Sequence, residues 1–194
     1  MGSVEVMTNP TSPLQQLCQR AKVGDEAKAL LTDESSTKPF LELLVEKEFF
    51  EDALRLVAFL LPKREAIGWS CLCLRHVLAA QKDQLLPPAL ATAERWVYGP
   101  CEENRWAAKQ AADNEDPKTA SGFLALAVYF AGPSLAPPHV QAVPPPDHLA
   151  SEMVAKAVAM AGVAGERGKA KERYAVFMQK AFALFARMQQ SAAA

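Results

Sequence analysis

The densest apolar stretch of the chain, residues 53–78, places the strongest constraint on the fold. It reads ALRLVAFLLPKREAIGWSCLCLRHVL and is interrupted once, by Pro62. A proline ring disfavours helix at the preceding residue but fits the first turn of a new helix. The pattern therefore predicts one helix that ends near Leu60 and a second from about Pro62 to Ala80. Because the break is short, we expect the two helices to fold back on each other as an antiparallel hairpin.

The second of these helices is apolar around most of its circumference. Residues at spacings of three and four form one continuous stripe: Ala66, Trp69, Cys73, Val77 and Ala80. A helix of this kind normally packs against neighbours on several sides. We therefore expect the hairpin to be the centre against which the other helices pack.

The remainder of the chain predicts an all-α fold. Helical apolar spacing recurs between Gly and Pro breaks, and no segment has the alternation of a strand pair. We expect a single-domain irregular bundle of about seven to nine helices over residues 12–194, preceded by a flexible lead at residues 1–11. Residues 132–146 contain six prolines and predict an extended, polyproline-like crossover along the surface.

A loose internal sequence similarity suggests a second way to arrange these helices. It places Trp69 and Trp106 37 residues apart, a period typical of stacked helix pairs. The alignment needs a two-residue gap, so stacked helix hairpins remain an alternative to an irregular bundle without repeats.

Charge and cysteine content narrow the possible partners and compartments. The 21 Lys and Arg residues balance 22 acidic residues, which argues against nucleic acid as a partner. No apolar run approaches the 18 or so residues of a membrane span, so stable membrane insertion is not expected. Cys71 and Cys73 would point about 200° apart on a helix, which does not suit a disulfide framework. We expect a cytoplasmic protein.

No pattern in the chain predicts an enzyme or a cofactor site. A nucleophile motif of the Gly-x-Ser-x-Gly type, a glycine loop for phosphate and a Glu-x-x-His pair are all missing from the sequence. The main alternative is a small helical metal- or thiol-dependent protein that uses Cys71, Cys73 and His76. Zinc needs three or four ligands, and the other histidines, His139 and His148, lie in or beside the proline-rich segment. We favour two core cysteines and a surface histidine.

The last predicted helix, residues 166–190, carries six basic residues and two acidic ones: Arg167, Lys169, Lys171, Arg173, Lys180 and Arg187 against Glu166 and Glu172. A basic amphipathic helix can lie on a membrane surface or bind an acidic partner. Our preferred interpretation is that it closes the core and faces the acidic segment at residues 25–65. Arg173 and Lys180 are its candidate partner-binding residues.

One short segment resembles a known family. Residues 61–75, LPKREAIGWSCLCLR, are similar to an uncharacterised all-helical bacterial family in which Leu-Pro-x-Arg-Glu-Ala-x-x-Trp recurs. Gly68 stands where we would expect a second bulky residue before Trp69 in such a segment. Some members of the family are encoded beside type VI secretion genes. The resemblance therefore implies an accessory or adaptor role in bacterial secretion and carries over no catalytic residue.

These observations together predict a non-enzymatic adaptor or chaperone-like protein that binds another protein, such as a secretion-system component or effector. Arg64, Glu65 and Trp69 are the candidate partner-binding residues of the central hairpin, beside Arg173 and Lys180. Arg64 and Glu65 lie in the first turn of their helix, so a solvated pair of charges is the alternative.

Overall fold

The structure is a computed structural model that describes residues 12–32, 34–80, 85–116, 118–137, 139–166 and 168–193. These residues form ten helices and no strand, which confirms the all-α prediction. The helices are α1 (Pro13–Arg20), α2 (Asp25–Lys28), α3 (Thr37–Glu46), α4 (Phe50–Leu60), α5 (Lys63–Ala79), α6 (Pro88–Tyr98), α7 (Glu102–Asn114), α8 (Ala120–Phe130), α9 (Leu149–Val163) and α10 (Ala170–Ala193). The lead predicted at residues 1–11 lies outside the described residues, as does Arg167.

The helix ends follow the capping signals of the sequence. At the start of α1, the backbone N–H of Gln15 donates to the Ser12 hydroxyl, and the Ser12 N–H donates to the Gln15 side chain. This reciprocal pair satisfies two N–H groups that have no partner inside the helix. The break at Pro62 is confirmed, because α4 ends at Leu60 and α5 begins at Lys63.

Helices α4 and α5 are buried as predicted, but they do not form an antiparallel hairpin. Six of the eleven residues of α4 and eight of the seventeen residues of α5 are buried. The two helices make few contacts with each other, and each packs on α9 and α10 instead. The predicted hairpin packing is wrong: the two-residue link, in which Leu61 and Pro62 have extended backbone with ψ angles of 142° and 150°, separates the helices, and α9 and α10 cover the faces that they were expected to share.

Helix α9 is the central element of the fold. It contacts α4, α5, α8 and α10, and its pairing with α8 is the most extensive in the molecule. Its buried residues are mostly small: Ala150, Met153, Val154, Ala157, Val158, Ala161 and Gly162. Small side chains let helix backbones approach closely, so several neighbours can pack around one short helix.

The helices from α5 onward alternate in direction. The Ala89 N–H at the start of α6 donates to Glu115 just past the end of α7, with N and O 2.8 Å apart. The start of α8 and the end of α9 line the same cavity, through Ala120 and Ala161. Neighbours in sequence are therefore antiparallel neighbours in space, as expected when short connections join packed helices.

The internal sequence similarity does not correspond to a structural repeat. Trp69 is fully buried, and its indole N–H donates to the Phe177 carbonyl on α10. Trp106 is only half-buried and packs edge to face on Tyr129 of α8, with ring centroids 5.5 Å apart. The two tryptophans face different kinds of neighbour, so equivalent positions in stacked pairs are not observed.

The proline-rich segment connects α8 and α9, but its path differs from the predicted extended crossover. The Leu135 N–H donates to the Val143 carbonyl at 2.7 Å, so the segment folds back on itself. The Ser134 hydroxyl accepts from the N–H groups of Ala136 and Val143, and the Tyr129 hydroxyl donates to the Leu135 carbonyl. These local bonds supply the partners that prolines cannot, and they hold a loop rather than a straight segment.

Helix α10 closes the core, in agreement with the preferred interpretation of the sequence. Tyr174, Phe177, Met178 and Ala181 are buried against the rest of the molecule. Lys171 reaches Glu48, which joins the basic helix to the acidic segment through an ion pair. Among the described residues, no helix has the length and hydropathy that crossing a membrane would require.

A buried arginine, which the sequence analysis did not single out, joins α7 to the end of α8. The Arg105 side chain is 1% exposed and forms two hydrogen bonds to the Glu102 carboxylate, at 2.8 and 2.6 Å. A third hydrogen bond goes to the Tyr129 carbonyl. Gly132 makes room for the guanidinium, because a Cβ there would lie 2.3 Å from Arg105 Cδ.

A substitution at Gly162 tests how closely α9 and α10 approach each other. A Cβ at this position would lie 1.8 Å from Tyr174 Cε1, and the Tyr174 ring is buried and held by a hydrogen bond to Ala159. We expect Gly162→Ala to lower the free energy of unfolding by about 1–3 kcal/mol through overpacking. Urea denaturation followed by circular dichroism measures it.

Gly68→Ala is the matched control for Gly162→Ala. The added Cβ would meet nothing closer than Val97 Cγ1, at 3.4 Å. Alanine in a helix interior should stabilise α5 by roughly 0.5–1 kcal/mol relative to glycine. Equal stability of Gly162→Ala and the wild type would contradict the packing described for α9.

Candidate functional site

A surface groove lies between α5, α6 and α10, and we call it the α5–α6–α10 groove. It encloses about 280 Å³. Its lining combines apolar, aromatic and charged side chains from the three helices: Arg64, Glu65, Gly68, Trp69, Cys71, Leu72, Glu94, Val97, Tyr98, Lys180, Leu184 and Arg187. The α5 members follow spacings of three and four, so they share one face of that helix.

The groove collects four of the five residues predicted to bind a partner. Arg64, Glu65 and Trp69 enter from α5, and Lys180 enters from α10. Arg173 lies elsewhere, because its guanidinium donates to the carbonyls of Gly162 and Ala164 at the end of α9. A cation at a helix C-terminus satisfies carbonyls that have no partner inside the helix. The contacts of Arg173 are therefore those of a helix cap.

Trp69 forms the base of the groove rather than its rim. Its side chain is 1% exposed, and its indole nitrogen is 3.0 Å from the Phe177 carbonyl oxygen. A buried indole usually needs such a hydrogen bond, and this one ties α5 to α10. Trp69 thus fixes the distance between two walls of the groove.

Gly68 leaves the floor of the groove open. It is half-buried in the middle of α5, one turn after Arg64 and Glu65, and the nearest atom to a Cβ built there is Val97 Cγ1. A glycine inside a helix costs roughly 0.5–1 kcal/mol relative to alanine. No close contact in the folded chain requires this glycine.

Two exposed apolar residues flank the groove, and the sequence analysis missed both. Tyr98, the last residue of α6, is 87% exposed, and Leu72 on α5 is 48% exposed. Leu72 lies outside the buried stripe of α5, where a helix of a globular protein usually carries a polar residue. That misplaced leucine was the available signal in the sequence. Tyr98, which precedes the helix-ending Gly99, gave no such signal in the sequence.

The charges of the groove leave a positive excess. Arg75 binds both oxygens of Glu94 at 2.6 Å, so that carboxylate is already neutralised. Arg64 donates through Nε to the Val97 carbonyl, and no carboxylate among the described residues forms an ion pair with it. In the part of the chain that the structure describes, no ion pair involves Lys180, Arg187 or Glu65. Three cations thus face one carboxylate.

The Cys71, Cys73 and His76 cluster does not converge on one point. Both thiols are buried while the histidine is exposed, and its ring packs edge to face on Phe177. Burial raises the pKa of Cys71 to about 12 and raises the pKa of Cys73 well above its ordinary value. Partial burial and the nearby Lys180 and Arg173 lower the pKa of His76.

Metal-binding geometry is also missing around these three residues. Within the described ranges, no group of three or more His, Cys, Asp or Glu side chains could hold a metal ion. Thiolates are the metal-binding and nucleophilic form of cysteine, and raised pKa values disfavour them at neutral pH. The arrangement supports packing more readily than thiol or metal chemistry.

Comparison with known proteins gives one match. The model of a family described as a family of unknown function (DUF6931) matches residues 40–185, which include all the groove residues except Arg187. No curated protein and no solved structure matches the chain.

Removing the Trp69 side chain should damage the scaffold. Trp69→Ala deletes a buried ring and its hydrogen bond to Phe177, and we expect a loss of about 3–5 kcal/mol in the free energy of unfolding. Leu72→Ala, one turn further along α5 and half exposed, is the control and should change stability by less than about 1 kcal/mol. A Trp69→Ala variant with an unchanged urea midpoint would show that this residue is not core.

The four cysteines differ in how accessible their thiols are to solvent. Cys101 is exposed, whereas Cys18, Cys71 and Cys73 are buried. Ellman's reagent should modify Cys101 rapidly in the native protein and all four thiols only in denaturant, with Cys101→Ser as the control that abolishes the rapid phase. Rapid native modification of Cys71 or Cys73 would favour the thiol-dependent alternative.

Proposed function

Since the chain belongs to the DUF6931 family, whose function is unknown, we propose that it is a non-enzymatic adaptor or chaperone-like protein that binds another protein through the α5–α6–α10 groove. The proposal gives the groove the role of partner surface. The remaining helices then serve as the scaffold that holds α5, α6 and α10 in place.

One observation carries the proposal: a concave surface is flanked by exposed apolar residues and lined by unpaired cations. Tyr98 on α6 and Leu72 on α5 are both exposed and line the same groove as Gly68. Aromatic residues and arginine are enriched where proteins bind one another, and the strongest contributions come from side chains that enter pockets. Grooves between helices commonly receive an amphipathic helix of the partner.

The resemblance at residues 61–75 suggests the class of partner. If the chain shares the role implied by that bacterial segment, its partner is a component or an effector of a type VI secretion system. Arg64, Glu65 and Trp69 then belong to the part of the segment that shapes the groove. A cytoplasmic location and a lack of nucleic-acid binding stay predictions that accompany this proposal.

The metal- or thiol-dependent alternative also stays a prediction, and its geometry is less favourable. It would have to use Cys71 and Cys73, whose burial raises the pKa of both thiols. Metal analysis of the purified protein distinguishes it from the adaptor proposal. Stoichiometric zinc that is lost in a Cys73→Ala, His76→Ala variant would support the alternative.

Groove variants test the adaptor proposal. Tagged wild type, Tyr98→Ala and Leu72→Ser would be purified from the native host under identical conditions, and co-purifying proteins would be quantified by mass spectrometry. A partner held through the groove should be lost from both variants, and the purified pair should bind roughly 30-fold more weakly after Tyr98→Ala.

Leu85→Ser is the matched control for the purification, because Leu85 is 92% exposed and does not line the groove. It should retain the partner at the wild-type level. A partner set that is unchanged by Tyr98→Ala and Leu72→Ser would place the interaction on another surface and overturn the proposal.

A further inference from the structure

We infer that the occupant of the α5–α6–α10 groove is an acidic amphipathic helix of another protein, with one large apolar side chain seated over Gly68. This inference rests on the proposed function and adds the chemistry of the partner. It makes Gly68 the residue that determines which side chain the groove accepts.

Gly68 destabilises α5 in the unbound protein, and no close contact within the folded chain requires a glycine at this position. It lies in the interior of α5, where glycine weakens a helix, and its backbone needs no positive φ angle. Other glycines have a packing reason, since a Cβ at Gly132 or Gly162 would collide with a neighbouring side chain. A Cβ at Gly68 would meet only Val97, at an ordinary contact distance. What the missing side chain provides is space on the groove floor.

The walls around that space are apolar, which determines the class of side chain that fits. Leu72 lies one turn further along α5, Val97 belongs to α6, and Leu184 belongs to α10. A leucine, methionine or phenylalanine from a partner would be covered on three sides by these residues. Tyr98, exposed at the end of α6, can then pack against the same partner helix from outside.

The charges around the apolar floor select acidic neighbours for that side chain. Arg64, Lys180 and Arg187 lie on both long sides of the groove, and of the described carboxylates that line it, Glu65 is the one without an ion-pair partner. Glu94 does not compensate for them, because Arg75 occupies both of its oxygens. A partner with carboxylates one turn before and after its apolar residue would meet these cations, which favours association and orients the helix.

A helix fits the groove better than an extended strand or a lipid surface. The described residues contain no sheet whose edge could accept a strand. The α5 and α10 residues that line the groove form two antiparallel ridges, and such ridges receive the side chains of a third helix. Lys180 is only half exposed and lies in a concave wall, so it is more accessible to a helix that enters the groove than to a flat membrane surface.

The test uses the full chain and a phage library that displays randomised α-helical peptides. Selected peptides would be synthesised, and their affinities measured by fluorescence anisotropy against wild type, Gly68→Ala, Gly68→Leu and Lys180→Glu/Arg187→Glu. The charge control is Arg20→Glu/Lys118→Glu, one arginine and one lysine that are exposed and do not line the groove. Circular dichroism melting checks that each variant is folded.

The inference expects selected peptides with one large apolar residue flanked by Asp or Glu at a spacing of three or four. Affinity should fall stepwise from Gly68 to Ala to Leu, by about tenfold or more for Leu, while the melting temperature stays equal or rises. Lys180→Glu/Arg187→Glu should weaken the same peptides by about tenfold, and the charge control should have little effect. If Gly68→Leu fails to fold, the alanine variant and the charge variant still decide the outcome.

Three results would overturn the inference: no enriched peptide, enrichment of basic peptides, or affinities that Gly68→Leu leaves unchanged. A fourth is binding to vesicles of seven parts phosphatidylcholine to three parts phosphatidylserine that Lys180→Glu/Arg187→Glu abolishes while no acidic peptide binds. In each case the proposed function can still stand, because it is decided separately by whether Tyr98→Ala and Leu72→Ser lose the native partner.

Discussion

Close packing around α9 is the constraint on which the rest of the structure depends. Helices α4, α5, α8 and α10 all contact this one element, and its buried face consists largely of alanine, valine and glycine. At Gly162 the approach is so near that the Tyr174 ring occupies the space where a methyl group would be. Helix α10 can therefore lie flat against α9 and α5 together. Its position in turn sets the third wall of the groove.

The sequence was informative where local physical chemistry decides the outcome. The break at Pro62 and the burial of α4 and α5 follow from proline geometry and apolar spacing, and both predictions are confirmed. The hairpin packing was wrong because the neighbours of α4 and α5 are set by α9 and α10, which lie far along the chain, and not by the short link at Leu61 and Pro62. The folded loop at Ser134 was also not predicted from the sequence, because its hydrogen bonds join residues far apart within the segment.

The candidate site was only partly visible in the sequence for a related reason. Arg64, Glu65 and Trp69 share a segment, but Lys180 joins them only because α10 packs antiparallel to α5. Arg173 has the same chemical character and lies on the same helix, yet it caps α9. Charge alone cannot distinguish a groove residue from a helix cap, because the role of each cation depends on whether the end of another helix lies within its reach. Gly68 illustrates the same limit, because the space that it leaves above α5 becomes apparent only when α6 and α10 are in place.

The buried Arg105 makes the junction of α7 and α8 sensitive to acid. Its hydrogen bonds hold the pKa of Glu102 below the usual range, so this carboxylate stabilises the fold above the pKa it has in the unfolded chain. As the pH falls through the lower pKa of the folded state, that stabilisation disappears, and the guanidinium keeps its charge in the core without a counter-ion. Of the described carboxylates with a lowered pKa, Glu102 alone has a partner that is fully buried. Acidification would therefore act through the half-exposed Glu102 on a buried cation, shortly after the α6 residues that line the groove.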